Sequence, residues 1–179
     1  MSKRVSWSEL DHMDRELIES AQEACAQAYA PYSLFAVGAA LRSKSGAVHA
    51  AANLENASYG LAICAEAAAL SVANAAGDLA IEAIAVVGFD IKDAERASPV
   101  VTPCGSCRQM IAEAARVTGS DIRILCGNGE LSSIAVSSIS ELLPDAFSIR
   151  NPGAVVPSRL WREELQTCVE RLIAVRPKR

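Results

Sequence analysis

Ile84-Ala-Val-Val-Gly-Phe89 is a short apolar run of strand length, Pro103 to Arg116 turns to helical spacing, and Ile122-Arg-Ile-Leu-Cys126 returns to a strand pattern. In the helical segment Met110, Ile111 and Ala114 fall on one side. Working upstream, Ile63 to Ala76 reads as a second helix closed by Gly77, a residue suited to a left-handed cap. Its alanine-rich run is interrupted only by Glu66, Ser71 and Asn74, which suits burial. Before it, Phe35 to Arg42 and Ala47 to Leu54 read as two strands around the turn residues Ser43-Lys-Ser-Gly46. Leu10, Leu17, Ile18, Ala21, Cys25 and Ala28 mark an opening amphipathic helix, ended by Tyr29-Ala-Pro-Tyr-Ser33. Downstream, Ile134-Ala-Val136 adds a strand across Gly127-Asn-Gly129, and Ile139 to Ala146 a turn or two of helix.

The resulting order, α-β-β-α-β-α-β-β, predicts an α/β fold: a mixed five-stranded sheet with helices on both faces, a three-layer α-β-α sandwich. The chain is 179 residues long, enough for one domain with a core of its own. After Phe147 the character changes. Residues 151–179 carry six basic and three acidic side chains, a net of +3, and leave −7 for residues 1–150. Asn151-Pro-Gly153 and Pro157 read as a linker, followed by a helix with Trp161, Leu165, Cys168, Val169 and Leu172 along one face. The expected division is therefore a catalytic domain over 1–150 and a C-terminal linker and helical extension over 151–179.

Composition narrows the function. The net charge of −4 argues against a nucleic-acid binder, which needs a basic face for phosphates. No apolar run approaches the roughly 20 residues that cross a bilayer, and the acidic N-terminal region does not read as a secretion signal. Six cysteines are too sparse for a secreted disulfide scaffold, so the expected compartment is the cytoplasm, with reduced thiols and a small diffusible substrate.

Three of those cysteines make a pattern. Cys64-Ala-Glu66 opens one predicted helix and Pro103-Cys104-Gly-Ser-Cys107 opens another. A single C-x-x-C is ambiguous, but with Cys64 as a third ligand it describes a zinc site that keeps one position open, the mark of a catalytic centre. Helix N-termini favour thiolates, because free N–H groups and the macrodipole stabilise negative charge. Glu66 stands close by without being needed as a ligand, where a carboxylate can take a proton from water and return it to substrate. C-x-E followed by P-C-x-x-C is the signature of zinc deaminases. Cys25, Cys126 and Cys168 read as small apolar fillers, Trp7 as a packing residue, and His12 and His49 as surface residues.

These motifs, with Tyr32-Ser-Leu-Phe-Ala-Val-Gly-Ala39, Asn53-Leu-Glu-Asn-Ala-Ser-Tyr-Gly60 and Leu142-Leu-Pro-Asp-Ala-Phe147, resemble the cytidine deaminase family in its small, zinc-dependent, three-cysteine form. The resemblance runs from about residue 10 to residue 147. It implies the cytidine deaminase fold, usually a homotetramer, and hydrolytic deamination of cytidine and deoxycytidine to uridine and deoxyuridine in pyrimidine salvage. It also implies that Cys64, Cys104 and Cys107 hold Zn²⁺, that Glu66 is catalytic, and that Asn53 and Glu55 bind the sugar hydroxyls. Phe35 would pack on the pyrimidine, and Phe147 would reach the site of a neighbouring subunit. A nucleoside antibiotic is the alternative substrate. One position departs from the family pattern: Ala67 stands where arginine commonly follows C-A-E, leaving Arg108 and the two helix N-termini to offset the charge of three thiolates.

Overall fold

The computed structural model describes residues 2–93, 98–148 and 158–174. Helices are α1 (His12–Ala24), α2 (Ala65–Ala75), α3 (Gly105–Thr118), α4 (Ile139–Leu142) and α5 (Ser158–Ala174). Strands are β1 (Lys3–Val5), β2 (Phe35–Ser43), β3 (Val48–Ala52), β4 (Ile81–Asp90), β5 (Arg123–Asn128) and β6 (Ile134–Ser138). They form one sheet in the order β1-β6-β5-β4-β2-β3, so the expected five strands are corrected to six. The added strand is Lys3-Arg-Val5, three residues paired to Ile134–Val136, too short to show a period in the sequence.

Side-chain alternation explains the layers. On β4, Ile84 and Val86 pack with Ala69, Leu70 and Ala73 of α2 and Ile111 and Ala114 of α3. Ala83, Ala85 and Val87 point the other way, onto Leu17, Ile18 and Ala21 of α1. Small residues on that face let α1 approach closely. At Gly38 an added Cβ would lie 2.0 Å from the Ala21 carbonyl oxygen, a contact no side chain can make. Alpha helix α2 is buried on one face only, since Ser71, Val72 and Asn74 are exposed. Likewise Met110 is 39% exposed, and α3 buries Ile111 and Ala114 without it. At the hairpin turn Gly46 adopts φ +86°, and Gly77 follows α2 at φ +76°, both in the left-handed region that glycine tolerates.

The topology brings two helix starts together. Both β3 and β4 run antiparallel to β2, so they share one direction. Helix α2 follows β3 and α3 follows β4, so both helices begin beyond the carboxyl ends of like-directed strands, where α/β sheets hold their ligands. The crossover through α3 makes β4 and β5 a parallel pair.

The described residues divide into two compact units, one through Ala146 and one from Phe147. In the second unit α5 is a continuous helix with Leu165, Cys168, Val169 and Leu172 exposed. The expected burial of Cys168 is thus corrected: among the described residues its side chain is exposed. Asn151-Pro-Gly153, Pro157 and the side chain of Trp161 lie outside the described residues.

Candidate metal centre

Cys64 is the N-cap of α2 and Cys104 the N-cap of α3, both with extended backbone. Cys107 stands one turn into α3 and is buried. The three sulfurs all lie within 4.8 Å of one another, with Cys64 Sγ and Cys104 Sγ 4.0 Å apart. Tetrahedral zinc with Zn–S bonds of about 2.3 Å sets its sulfurs about 3.8 Å apart, so this triangle fits the ion. The chemistry of the donors fits as well. Backbone N–H groups of Cys107 and Ser106 hold the Cys104 thiol below its ordinary pKa, as a helix N-terminus should. Burial first, then the neighbouring Glu66 and Cys64 charges, push Cys107 up. Burial also raises Cys64. Three thiols this close cannot ionise together without a cation among them.

Glu66, two residues into the same helix as Cys64, is only 4% exposed. Burial raises its carboxyl above the usual range, opposed by hydrogen bonds from its own backbone and from the Cys107 thiol. A carboxylate of that kind, next to a metal and sealed from bulk water, is equipped to accept a proton and release it again.

Beside these groups opens a cavity of about 290 Å³. Cys64, Glu66, Cys104, Asn53 and Glu55 all line it, and Val37 and Ile63 are part of its apolar wall. Asn53 is fixed across the sheet: its Oδ1 accepts from Val37 N and its Nδ2 donates to Phe35 O, each at 3.0 Å. Glu55 Oε2 accepts from the N–H groups of Tyr32 (2.9 Å) and Ser33 (3.2 Å). Bonds to Ser33 and Tyr32 hold its carboxyl below the usual range, so it is an anion at neutral pH. The structure therefore gathers Cys64, Cys104, Cys107, Glu66, Asn53 and Glu55 at one place. Phe35 is not in the cavity wall; its ring lies against Gly88. Phe147, 75% exposed, belongs to the second unit.

Several participants were not foreseen. Val37 and Ile63 read as an ordinary strand residue and the first residue of a helix, which in fact starts at Ala65, and nothing in their type marks them as cavity wall. Arg108, expected to offset thiolate charge, directs its guanidinium elsewhere: Nε donates to Pro103 O (2.9 Å) and Nη1 to Leu142 O (3.0 Å). His49, read as a surface residue, is largely buried and pairs through Nε2 with Asp78 Oδ2 at 3.1 Å. Cys25 and Cys126 are buried fillers, their thiols pushed up to about 11 and about 12 by burial.

Residues 11–119 match the family model for the cytidine and deoxycytidylate deaminase zinc-binding region. A cytidine deaminase of Halalkalibacterium halodurans is 48% identical over 139 residues, covering 76% of this chain and 96% of its own. The crystal structure of cytidine deaminase from Burkholderia pseudomallei superposes with a TM-score of 0.65 at 42% identity, over 77% of this chain and 100% of that one. A blasticidin-S deaminase of Bacillus cereus is 33% identical over 137 residues, 75% of this chain and 92% of its own.

Proposed function

The chain belongs to the cytidine and deoxycytidylate deaminase zinc-binding family, and from that membership we propose that it is a cytidine deaminase, converting cytidine and deoxycytidine to uridine and deoxyuridine with release of ammonia. The observation that carries the reading is the triangle of three sulfurs at two helix starts with a buried carboxyl beside it. Cys64, Cys104 and Cys107 would hold the zinc, and an ion bound there would supply the Lewis-acid chemistry that makes water nucleophilic near neutral pH.

The rest falls to the chain's own side chains. Glu66 accepts the proton of the attacking water on its carboxylate and delivers it to N3 of the cytosine ring, then takes the proton of the new C4 hydroxyl and passes it to the amino group, which departs as ammonia while C4 becomes a carbonyl. Its burial keeps that proton from exchanging with bulk water. Asn53 and Glu55 orient the sugar: beyond the bonds to the backbone, the amide has a second N–H and the carboxylate a second oxygen, groups that suit hydroxyls. Phe35, outside the cavity wall and against Gly88, would have to turn towards the cavity to pack on the pyrimidine. Phe147 completes the site of a neighbouring copy in a homotetramer, a role supported by the exposure of its ring. The catalytic domain spans 1–150 with 151–179 as its extension, and the enzyme works in cytoplasmic pyrimidine salvage. Among the described residues no helix is long and apolar enough to cross a membrane.

The test is ammonia release from cytidine and deoxycytidine by the zinc-loaded chain, before and after a chelator removes the metal. Equimolar uridine and ammonia, lost on chelation and restored by zinc, are expected. No release from either nucleoside with zinc bound would overturn the proposal. Release from an aminonucleoside antibiotic alone would change the substrate and keep the chemistry.

A further inference from the structure

Arg108 occupies an odd position for a cation. It sits in the first turn of α3, where the helix macrodipole favours anions, and it is half-buried. Its side-chain hydrogen bonds go to two backbone carbonyls, and none goes to a carboxylate. Helix stability therefore gives no reason for it. The two carbonyls do. Pro103 O belongs to the peptide that leads directly into Cys104, and the Arg108 backbone N–H takes the next carbonyl, Cys104 O, at 2.9 Å. One residue thus holds both peptides that flank the Cys104 side chain. Through Nη1 it also anchors them to Leu142 at the end of α4, an element that packs through Ile139 and Leu142 on the same apolar cluster as α3.

We infer that Arg108 is a positioning residue for the metal centre: its planar guanidinium bridges Pro103 O and Leu142 O, and so sets the orientation of Cys104 towards Cys64 and Cys107. This rests on the reading of the three cysteines as zinc ligands. Because the bridge uses Nε and Nη1 in a fixed fork, a lysine cannot reproduce it, although it keeps the charge. Charge and geometry can therefore be separated.

The experiment compares zinc-loaded wild type, Arg108→Lys and Arg108→Gln for the rate of zinc loss to a chromogenic chelator. The same chains loaded with cobalt(II) report the thiolate–metal charge-transfer band. Residues that orient metal ligands typically carry about 10–100-fold in metal affinity. Both variants should lose zinc about tenfold faster or more, with a displaced or weakened cobalt band. Zinc loss within twofold of wild type, or full rescue by lysine, would overturn the inference. Should the variants unfold, the wild-type chain still decides: the Arg108 Nε–H must exchange slowly with solvent, and rapid exchange would refute the bridge. Cys104→Ser is the separate control. If that variant retains zinc as wild type does, the ligand assignment fails rather than the role of Arg108.

Discussion

Replacing Glu66 with glutamine isolates the proton carrier from everything else in the site. The amide is isosteric, so it fits the buried space that the carboxyl occupies at 4% exposure. Its Oε1 can still accept the bond that the carboxylate takes from its own backbone N–H. Removing a buried charge relieves its desolvation, while losing an anion in the first turn of α2 costs about 0.3–1 kcal/mol of dipole interaction. These oppose each other, so stability should change by less than about 1 kcal/mol. Metal binding should not change, because Glu66 is not one of the three sulfur donors. The amide cannot accept and return a proton, and general acid–base catalysis is typically worth about 10²–10⁴-fold. That corresponds to about 3–5 kcal/mol on the barrier. The assay is initial-rate ammonia release from cytidine by wild type and Glu66→Gln, with zinc content and thermal unfolding measured on the same samples. The expected result is a fall of kcat by two to four decades at equal zinc and nearly equal Tm. Turnover within about tenfold of wild type, with zinc bound, would refute the role of Glu66.

Three further outcomes follow from other parts of the structure. Gly38→Ala drives a methyl group to 2.0 Å from Ala21 O and 2.8 Å from Cys25 N, both backbone atoms of the α1 region. The cost should exceed about 3 kcal/mol, beyond ordinary overpacking, and an unchanged urea midpoint would show that α1 does not approach β2 this closely. Asn53→Ala strips two bonds from the backbone of β2 and should cost about 1–3 kcal/mol while raising KM; loss of KM alone, with stability intact, would mean those bonds carry no weight. Asp78 is held below the usual carboxylate range, first by the Ser43 hydroxyl and then by His49. A depressed folded pKa contributes stability that is present above the unfolded value of about 3.9 and disappears as pH falls through the folded value. The stability gap between wild type and Asp78→Asn should accordingly be constant above about pH 5 and close as pH drops below about 4; a gap that widens with acid would reverse the assignment.

Most of the element order is written in the sequence, and so are the metal-bearing helix starts. Proline before Cys104 marks a helix start, and a cap is a local event with a local signature; the apolar spacing puts the other start at Ile63, ahead of the Cys64 cap. What escaped depends on partners distant along the chain. Strand β1 is only three residues long and exists because β6 offers it an edge. Strand β4 extends from the apolar run at Ile84 back to Ile81, where pairing to Ser43 and not composition sets its start. The single residue Arg108 could serve charge or geometry, and only the positions of Pro103 O and Leu142 O choose between them. Cys168 and Cys25 share a residue type and an apolar helix face, yet one is exposed and the other buried, because burial is a property of the opposing surface. His49 found Asp78 29 positions away, a pairing no spacing rule reaches.

The sheet closes at both borders with short strands. Beta strand β1 has three residues, two of them Lys3 and Arg4, and β3 at the other border has five. A border strand is a template on which a stray chain can add itself by backbone pairing, and its reach scales with its length and flatness. Here one border offers a few residues under two positive charges, and the other bends away within five into the loop that carries Asn53 and Glu55. The long, apolar strands β2 and β4, which would seed fibrils most readily, are enclosed in the interior of the sheet. The fold therefore carries its own protection against edge-to-edge polymerisation, and one of those short borders leads straight into the residues that face the cavity.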